Sequence, residues 1–263
     1  MGTLQTASFV VLVGIILFTY WLQIENPLKP PPDLSYEVIE NENDIYGVMA
    51  SSQPARLNYS SYKWPAFGKW TPEYVKEQLG RDILPFCKNG TSNVFILRNF
   101  DKPIQTTAPS ERWYNLEDVE VEKFFEKSKT YLYFSGKLEW WPDTLIEDIH
   151  PTEPFLIKET KNEEWSSQIM VWMGHKNVIA NCHYDRSHNV FFQVSGRKLW
   201  TLFPPTAWQS LYLFPHIDGA YHQSQIGNLN ESNAELFPLF NINNAAYQVL
   251  LEPGDAIYIP RKF

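Results

Sequence analysis

Cysteine and basic residues are scarce in this sequence. Two thiols, Cys87 and Cys182, are too few for a disulfide framework. They could pair in an oxidising compartment, or remain small buried apolar groups in a reducing one. Lys and Arg number 22 against 30 Asp and Glu, which gives a formal net charge of −8. No basic cluster is available to neutralise phosphates, so no nucleic-acid partner is expected.

The sequence also lacks internal repeats and long low-complexity tracts, so a repeat architecture is not expected. Apolar residues make up 44% of the chain and aromatic residues 16%. This content is enough for a sizeable core in one globular domain. The predicted organisation is a transmembrane signal anchor over residues 1–26, a proline-rich and acidic tether over 27–50, and the folded domain over 51–263.

An 18-residue stretch without a charge runs from Ala7 to Ile24. As a helix it would just span a bilayer, because a helix rises about 1.5 Å per residue. Tyr20 and Trp21 suit the aromatic belt at the membrane interface. The alternatives are a buried core helix and a cleaved signal peptide, but a basic n-region and a clear cleavage site are missing. The stretch therefore predicts an uncleaved signal anchor.

The orientation of this anchor has to be inferred from other residues, because its flanks contain almost no Lys or Arg. Three Asn-x-Ser/Thr sequons, at Asn58, Asn89 and Asn230, suit a glycosylated domain in the secretory lumen. The sequence thus predicts a single-pass, type II membrane protein with its domain in the endoplasmic reticulum or secretory lumen.

Helices are predicted in the amino-terminal half of the domain and strands after it. Thr71 is a suitable N-cap for a helix beginning at Pro72, and residues 115–127 are a second helix candidate. The predicted strands are 93–99, 168–174, 178–185, 189–195, 197–203 and 246–259. This order predicts a mainly β fold with flanking helices, a double-stranded β-helix of the jelly-roll or cupin type, preceded by the transmembrane helix.

The motif His183-Tyr184-Asp185 is the strongest indication of chemistry. In an extended strand alternate side chains share a face, so His183 and Asp185 would point the same way. An imidazole and a carboxylate are two thirds of the facial triad that binds non-haem Fe(II), with the third ligand expected from a distant histidine. Alone, the triplet is also common in loops, so its interpretation depends on what surrounds it.

Residues 189–205 predict a β-hairpin that turns at Ser195-Gly196. Lys198 lies in the second strand, with mostly apolar residues on both faces. A buried lysine requires an anionic partner, which makes Lys198 a candidate anchor for a carboxylate. The alternative is a lysine that extends from the sheet edge to water.

Together these motifs resemble the JmjC/cupin-like 2-oxoglutarate oxygenases, and most closely the factor-inhibiting asparaginyl hydroxylase branch. The likeness covers roughly residues 93–263 and is densest at 168–205 and 247–260. The motifs that carry it are His183-Tyr-Asp185, Asn189, Gly196-x-Lys198, Leu202-Phe-Pro-Pro205, Leu211-Tyr-x-x-Pro215 and Pro253-Gly-Asp-x-x-Tyr-Ile-Pro260.

The resemblance implies a role for each matched residue. It implies that His183 and Asp185 bind Fe(II), that Lys198 pairs with the distal carboxylate of 2-oxoglutarate, and that Asn189 lines the co-substrate pocket. It further implies a co-substrate contact from Tyr131. The residue two positions later, Tyr133, would share the same face of a strand and is an equal candidate.

Two departures from the family pattern stand out. Where relatives close to the asparaginyl hydroxylase have a threonine, this chain has Ala180, so one hydroxyl contact to the co-substrate is missing. The sequence ends at Phe263, before the position where the family places its distal iron-binding histidine. Two explanations compete: truncation of an active oxygenase, or a degenerate relative. A single cut explains the retention of the other two ligands and Lys198 more simply.

Other histidines are not expected to replace that ligand: the candidates are His188, His216 and His222. With two ligands, iron binding is expected to be weak. The implied activity is a membrane-anchored Fe(II)- and 2-oxoglutarate-dependent dioxygenase that hydroxylates a protein side chain. The alternative is a non-catalytic JmjC-like binding or regulatory protein. A hydroxylase is preferred to a histone demethylase, because the predicted anchor and the acidic domain do not suit a chromatin protein.

Overall fold

A computed structural model describes residues 34–40, 42–59, 64–95, 115–150, 169–214, 222–229, 234–241 and 247–263, all within one compact unit, Asp33–Phe263. The strands are β1 (Ser35–Val38), β2 (Ala55–Asn58), β3 (Ile83–Gly90), β4 (Val94–Phe95), β5 (Asn115–Glu120), β6 (Tyr131–Lys137), β7 (Met170–Gly174), β8 (Ile179–Ala180), β9 (Asn189–Phe192), β10 (Lys198–Leu202), β11 (Tyr247–Leu251) and β12 (Ala256–Ile259). The α-helices are Glu42–Ser51, Ala66–Lys69, Pro72–Leu79, Val121–Phe125 and Asp143–Glu147, and the 3-10 helices are Leu138–Trp140 and Pro205–Ala207.

The strands form two four-stranded sheets and two strand pairs. The sheets have the orders β1-β2-β12-β9 and β5-β3-β6-β7, and the pairs are β10-β11 and β4-β8. Neighbours are antiparallel except in β1-β2 and β4-β8, which are parallel. The prediction of a mainly β fold with flanking helices is therefore confirmed.

One face of strand β6 packs against helices, and its other face carries Tyr131 and Tyr133. Leu132 and Phe134 are almost fully buried and pack in the largest hydrophobic cluster, which also contains residues of the helices Pro72–Leu79 and Val121–Phe125. Tyr131 and Tyr133 alternate with them and point to the opposite face. The period of two thus directs the tyrosines away from the helices.

Strand β12 is buried on both faces. Ala256 and Tyr258 pack with residues of β2 and of the helix Glu42–Ser51. Ile257 and Ile259 pack on the other face with residues of β10 and β11. An unbroken apolar strand such as this one is typical of a position between two cores.

The predicted hairpin over residues 189–205 is wrong. Strand β9 pairs with β12, and β10 pairs with β11, so the two strands belong to different sheets. Gly196, with φ 71°, still makes the turn between them. The predicted single strand 246–259 is likewise two strands, separated by a turn at which Gly254 has φ 97°. Only glycine adopts this conformation readily, so the turn can send β11 and β12 to separate sheets.

Local signals predicted one helix correctly and one incorrectly. The helix Pro72–Leu79 begins as predicted, and the hydroxyl of Thr71 accepts a hydrogen bond from the Tyr74 amide at 3.2 Å. The predicted helix 115–127 is instead strand β5 followed by the short helix Val121–Phe125. Pairing of β5 with β3 overrides the local helix propensity there.

The predicted transmembrane helix requires correction. Among the described residues, no helix has the length and apolar character needed to cross a membrane. The stretch 7–24, on which that prediction depended, lies outside the described residues. The fold class is therefore given without a transmembrane helix, and the single-pass, lumenal localisation is not supported.

Other expectations from the sequence can be compared with the described residues. Within the stretch 27–50 predicted as a tether, Ser35–Val38 forms β1 and the helix Glu42–Ser51 begins, and Ile39 and Ile45 are buried. Cys87 and Cys182 are both free thiols. Glycosylation is unsupported: Asn89 lies in β3 between two paired strands, and its amide donates to the Glu117 carboxylate.

Candidate metal and carboxylate site

The predicted site residues line one cavity. Its volume is about 3680 Å³, and it is open to solvent. Strands β6, β7, β9 and β10 and the segment 181–189 contribute its walls. The lining includes all five predicted residues: Tyr131, His183, Asp185, Asn189 and Lys198.

His183 is held with one ring nitrogen available to the cavity. Its Nδ1 lies 2.6 Å from the backbone carbonyl oxygen of Asn181. A carbonyl only accepts hydrogen bonds, so Nδ1 carries the proton and donates it. The lone pair therefore lies on Nε2, which makes no hydrogen bond within the described residues. This is the tautomer that a metal ligand requires.

Asp185 is oriented by two contacts. Its Oδ2 accepts a hydrogen bond from the amide Nδ2 of Asn189 at 2.8 Å, and its backbone carbonyl accepts one from the Lys262 amide at 2.8 Å. The other carboxylate oxygen has no hydrogen bond from the described part of the chain. Asn189 thus lines the cavity and also orients a carboxylate next to it.

His188 also lines the cavity, but one of its ring nitrogens already has a protein partner. Its Nδ1 lies 2.7 Å from the Tyr258 hydroxyl, and the two rings stack at an interplanar angle of 10°. Burial, with the neighbouring Arg261, lowers the pKa of His188. Tyr258 belongs to the face of β12 that packs against the helix Glu42–Ser51, opposite the face occupied by Ile259.

Of the other two candidate histidines, only His222 lies in the part of the chain that the structure describes. The backbone carbonyl of His222 accepts a hydrogen bond from the Tyr184 amide at 3.0 Å. Burial lowers the pKa of His222, and the charges of His183 and Asp185 act on it in opposite directions. His216 lies outside the described residues. Across the described ranges, no group of three His, Cys, Asp or Glu side chains could hold a metal ion.

Lys198 is a half-buried cation without a carboxylate partner in the described part of the chain. Its ammonium lies 4.8 Å from the ring centroids of both Phe191 and Trp200, which belong to different sheets. Burial lowers the pKa of Lys198 to about 8. Attraction to the two rings offsets part of the desolvation of the ammonium. The two ring centroids are themselves 5.0 Å apart, so the ammonium lies over a pair of rings in contact rather than extending fully into water.

The two candidate tyrosines differ in how firmly they are packed. Tyr133 contacts the ring of Phe95 at 6.1 Å and lies across from Gly174 in the β6-β7 pair. A Cβ atom at Gly174 would come within 2.8 Å of the Tyr133 ring, so glycine makes room for it. Burial raises the pKa of Tyr133 to about 12. Tyr131 makes no hydrogen bond or ring contact within the described residues, which leaves its hydroxyl available to a ligand.

Sequence reasoning missed several residues of this site. Trp200 shares a face of β10 with Lys198, as strand periodicity predicts, but its contact with the ammonium alongside Phe191 of β9 was not anticipated. Asn181 and Ser224 support His183 through contacts between segments far apart in sequence. No local pattern in the sequence pointed to this pair.

Comparisons with known proteins cover most of the chain. Residues 46–263 match the family described as "Cupin-like domain". The chain is 26% identical to "JmjC domain-containing protein A" of Dictyostelium discoideum over 84% of this chain and 86% of that protein. It is 26% identical to human "tRNA wybutosine-synthesizing protein 5" over 74% and 61% of the two chains. It is also 26% identical to mouse "HSPB1-associated protein 1", over 89% and 48%. The chain thus spans only about half to three fifths of the latter two proteins.

Proposed function

Because this chain belongs to the cupin-like domain family, we propose that it is an Fe(II)- and 2-oxoglutarate-dependent oxygenase that hydroxylates a protein side chain. The observation that supports the proposal is the presence, in the lining of one cavity, of two candidate metal ligands, His183 and Asp185, and of the half-buried Lys198, which has no carboxylate partner among the described residues. Neither feature alone would distinguish this chemistry from a simple metal or anion site.

The donor set fits Fe(II) as far as the described residues extend. His183 would bind through Nε2, because Nδ1 is already donating to Asn181. Asp185 would bind through the carboxylate oxygen that Asn189 leaves free. One imidazole and one carboxylate match the facial arrangement, and the third protein ligand is not among the described residues. Bound iron would supply the oxidation of a substrate C–H bond, coupled to conversion of 2-oxoglutarate and dioxygen to succinate and carbon dioxide.

Lys198 would bind the distal carboxylate of 2-oxoglutarate. An ammonium that lies over two aromatic rings is partly shielded from water, so its attraction to a carboxylate is stronger than in bulk solvent. The carboxylate would in turn stabilise the charged amine and bring its pKa back up. Phe191 and Trp200 would shield this ion pair from water, and Tyr131 could donate a further hydrogen bond from the opposite wall.

The chemistry of the chain favours a protein substrate over tRNA. The human relative is named for tRNA wybutosine synthesis and the mouse relative for association with a protein. Binding tRNA requires neutralisation of many phosphates, whereas this chain has a formal net charge of −8. An acidic surface is compatible with a basic or neutral peptide segment.

A second candidate function is a non-catalytic binding protein that keeps the fold and the carboxylate site. It is favoured by one observation, the lack of a third metal ligand among the described residues. Such a protein would bind dicarboxylates without consuming them.

The direct test is 2-oxoglutarate turnover by the full chain. Purified protein is supplied with Fe(II), 2-oxoglutarate and dioxygen, and succinate is measured with and without a peptide library. The proposal expects succinate formation that His183→Ala and Asp185→Ala both abolish. A peptide product heavier by one oxygen atom would identify the substrate. Binding of 2-oxoglutarate without any succinate would instead support the non-catalytic alternative.

A further inference from the structure

We infer that Asn181 and Ser224 are positioning residues that hold the His183 imidazole with Nε2 turned into the cavity. This inference deepens the proposed function and depends on it only for the identity of the metal. Neither residue is assigned a role by the sequence motifs or by the relatives' names. The argument rests on burial, hydrogen bonds and one unpaired polar atom.

Buried polar side chains are few in the described part of the chain. Those in the buried class are Asp148, Asn181 and Ser224, at 4%, 5% and 0% exposure. A buried polar group lowers stability unless its hydrogen bonds are satisfied. Asp148 is explained by its ion pair with Lys69. Asn181 and Ser224 bond to each other, immediately beside a predicted metal ligand.

Three hydrogen bonds fix the peptide that orients His183. The backbone carbonyl of Asn181 accepts the Nδ1–H of His183 at 2.6 Å. The Asn181 side chain donates from Nδ2 to the backbone carbonyl of Ser224 at 2.7 Å, and the Ser224 amide donates to the Cys182 carbonyl at 2.8 Å. A carbonyl can only turn with its peptide plane. Ser224 thus holds Asn181 and Cys182, and the Asn181 carbonyl holds the imidazole.

Ser224 is itself anchored in the core. Its hydroxyl donates to the backbone carbonyl of Leu211 at 2.7 Å and accepts from the Ile226 amide at 3.0 Å. Leu211 and Ile226 are buried, at 7% and 1% exposure. The imidazole of His183 is exposed to the cavity, yet it is connected through two residues to fully packed backbone. Support of this kind fixes both the tautomer and the ring orientation of a metal-binding histidine.

One feature of Asn181 argues against a purely structural role. Its Oδ1 is buried and has no hydrogen-bond partner among the residues that the structure describes. An unsatisfied buried acceptor costs about 1–3 kcal/mol. A leucine of similar size would remove that cost, so packing alone does not favour asparagine here. The Nδ2 bond to Ser224 is what leucine could not supply.

The inference is tested by histidine NMR on the full, metal-free chain labelled with ¹⁵N-histidine. The His183 signals are assigned by their loss in His183→Gln. In the unmutated chain we expect the Nδ1–H tautomer for His183. In Asn181→Leu and in Ser224→Ala we expect a mixture of the two tautomers. A matched control is Ser210→Ala, since the Ser210 hydroxyl also donates to a backbone carbonyl, that of Ala207, at 2.9 Å, without contacting the Asn181 network.

A second readout is the affinity for Mn(II), a divalent ion that prefers the same ligands without reacting with dioxygen. Loss of a supporting contact is expected to weaken binding about 10- to 100-fold, whereas Ser210→Ala should leave affinity unchanged. The inference is overturned if Asn181→Leu or Ser224→Ala lowers the melting temperature but retains both the Nδ1–H tautomer and the Mn(II) affinity. If Asn181→Leu does not fold, Ser224→Ala decides alone. Failure of 2-oxoglutarate turnover would contradict the proposed function without affecting the tautomer result.

Discussion

Asp148 and Lys198 are both shielded from water, but the described residues compensate only the charge of Asp148. The Asp148 carboxylate accepts hydrogen bonds from Lys69 at 2.6 Å and from Trp70 and Tyr74 at 3.0 Å each. Burial opposes its ionisation, but these donors outweigh burial and hold the pKa of Asp148 below its usual value. Lys198 has two aromatic rings and no carboxylate within the described residues, and burial lowers its pKa to about 8.

The contrast separates a charge kept for structure from one available to a ligand. Asp148 joins the segment 66–74 to the helix Asp143–Glu147 and its donors leave it little to gain from any further partner. Lys198 lies at a cavity wall, where a bound carboxylate would offset the desolvation of its ammonium. An uncompensated charge that is shielded from water is destabilising. Such a charge at a cavity wall is therefore a candidate binding site for an anion.

The largest effect is expected for loss of the satisfied charge. Asp148→Ala should lower the free energy of unfolding by about 3 kcal/mol, because the Trp70 and Tyr74 donors lose their acceptor and Lys69 loses its counter-charge. Urea denaturation followed by tryptophan fluorescence measures the change. A loss below about 1 kcal/mol would mean that the cluster is not a structural anchor.

Removal of the Lys198 charge should not lower the free energy of unfolding, in contrast to removal of the Asp148 charge. Lys198→Met is expected to leave the free energy of unfolding unchanged or to raise it by about 1–2 kcal/mol, since methionine can pack over the rings of Phe191 and Trp200 without desolvating a charge. The same denaturation experiment applies. Marked destabilisation would indicate that an anionic partner already compensates Lys198 in the folded chain.

The pH dependence of stability provides a smaller and independent test. Lys198 has a pKa of about 8 in the folded chain and of 10.5 in the unfolded chain. Below pH 8 its amine is therefore protonated in both states. Between pH 8 and 10.5 the unfolded state binds more protons, so the free energy of unfolding should rise with pH, by about 1 kcal/mol after allowance for screening. The difference between the unmutated chain and Lys198→Met should show this rise. A flat difference would contradict a buried amine.

The smallest effect is expected at an exposed ion pair. Lys76 Nζ lies 2.6 Å from Glu122 Oε1, and the carboxylate side chain is 64% exposed. Lys76→Ala should change the free energy of unfolding by less than about 1 kcal/mol, and added salt should reduce even that. If its effect equalled that of Asp148→Ala, burial would not be what distinguishes the two ion pairs.

Features that depend on residues close in sequence could be predicted, whereas contacts between residues far apart in sequence could not. The His183-Tyr-Asp185 motif, the helix at Pro72 and the mainly β pattern depend on local spacing, and the sequence was sufficient to find them. The Ser195-Gly196 turn was also recognised, but its flanking strands pair with β11 and β12 much later in the chain. A turn signal carries no information about such partners.

The supporting residues of the site were inaccessible for the same reason. The Asn181 side chain reaches Ser224, 43 residues away, and no periodicity connects the two. The unpaired state of Lys198 also depends on the sheets that enclose it, although its position in the motif marked it as a candidate. The uncharged stretch 7–24 was interpreted from composition alone, and the described helices offer no membrane span in its support.

The central claim is that Lys198 is an unpaired cation reserved for the carboxylate of a small ligand. It is tested most directly by calorimetric titration of 2-oxoglutarate into the Mn(II)-treated full chain, comparing the unmutated protein with Lys198→Met. The control is Lys88→Met, since Lys88 also lies over an aromatic ring, that of Tyr133 at 5.4 Å. The account predicts binding at one site, weakened about 100-fold by Lys198→Met and unchanged by Lys88→Met. Equal affinity of the unmutated chain and Lys198→Met, or no binding by either, would contradict it.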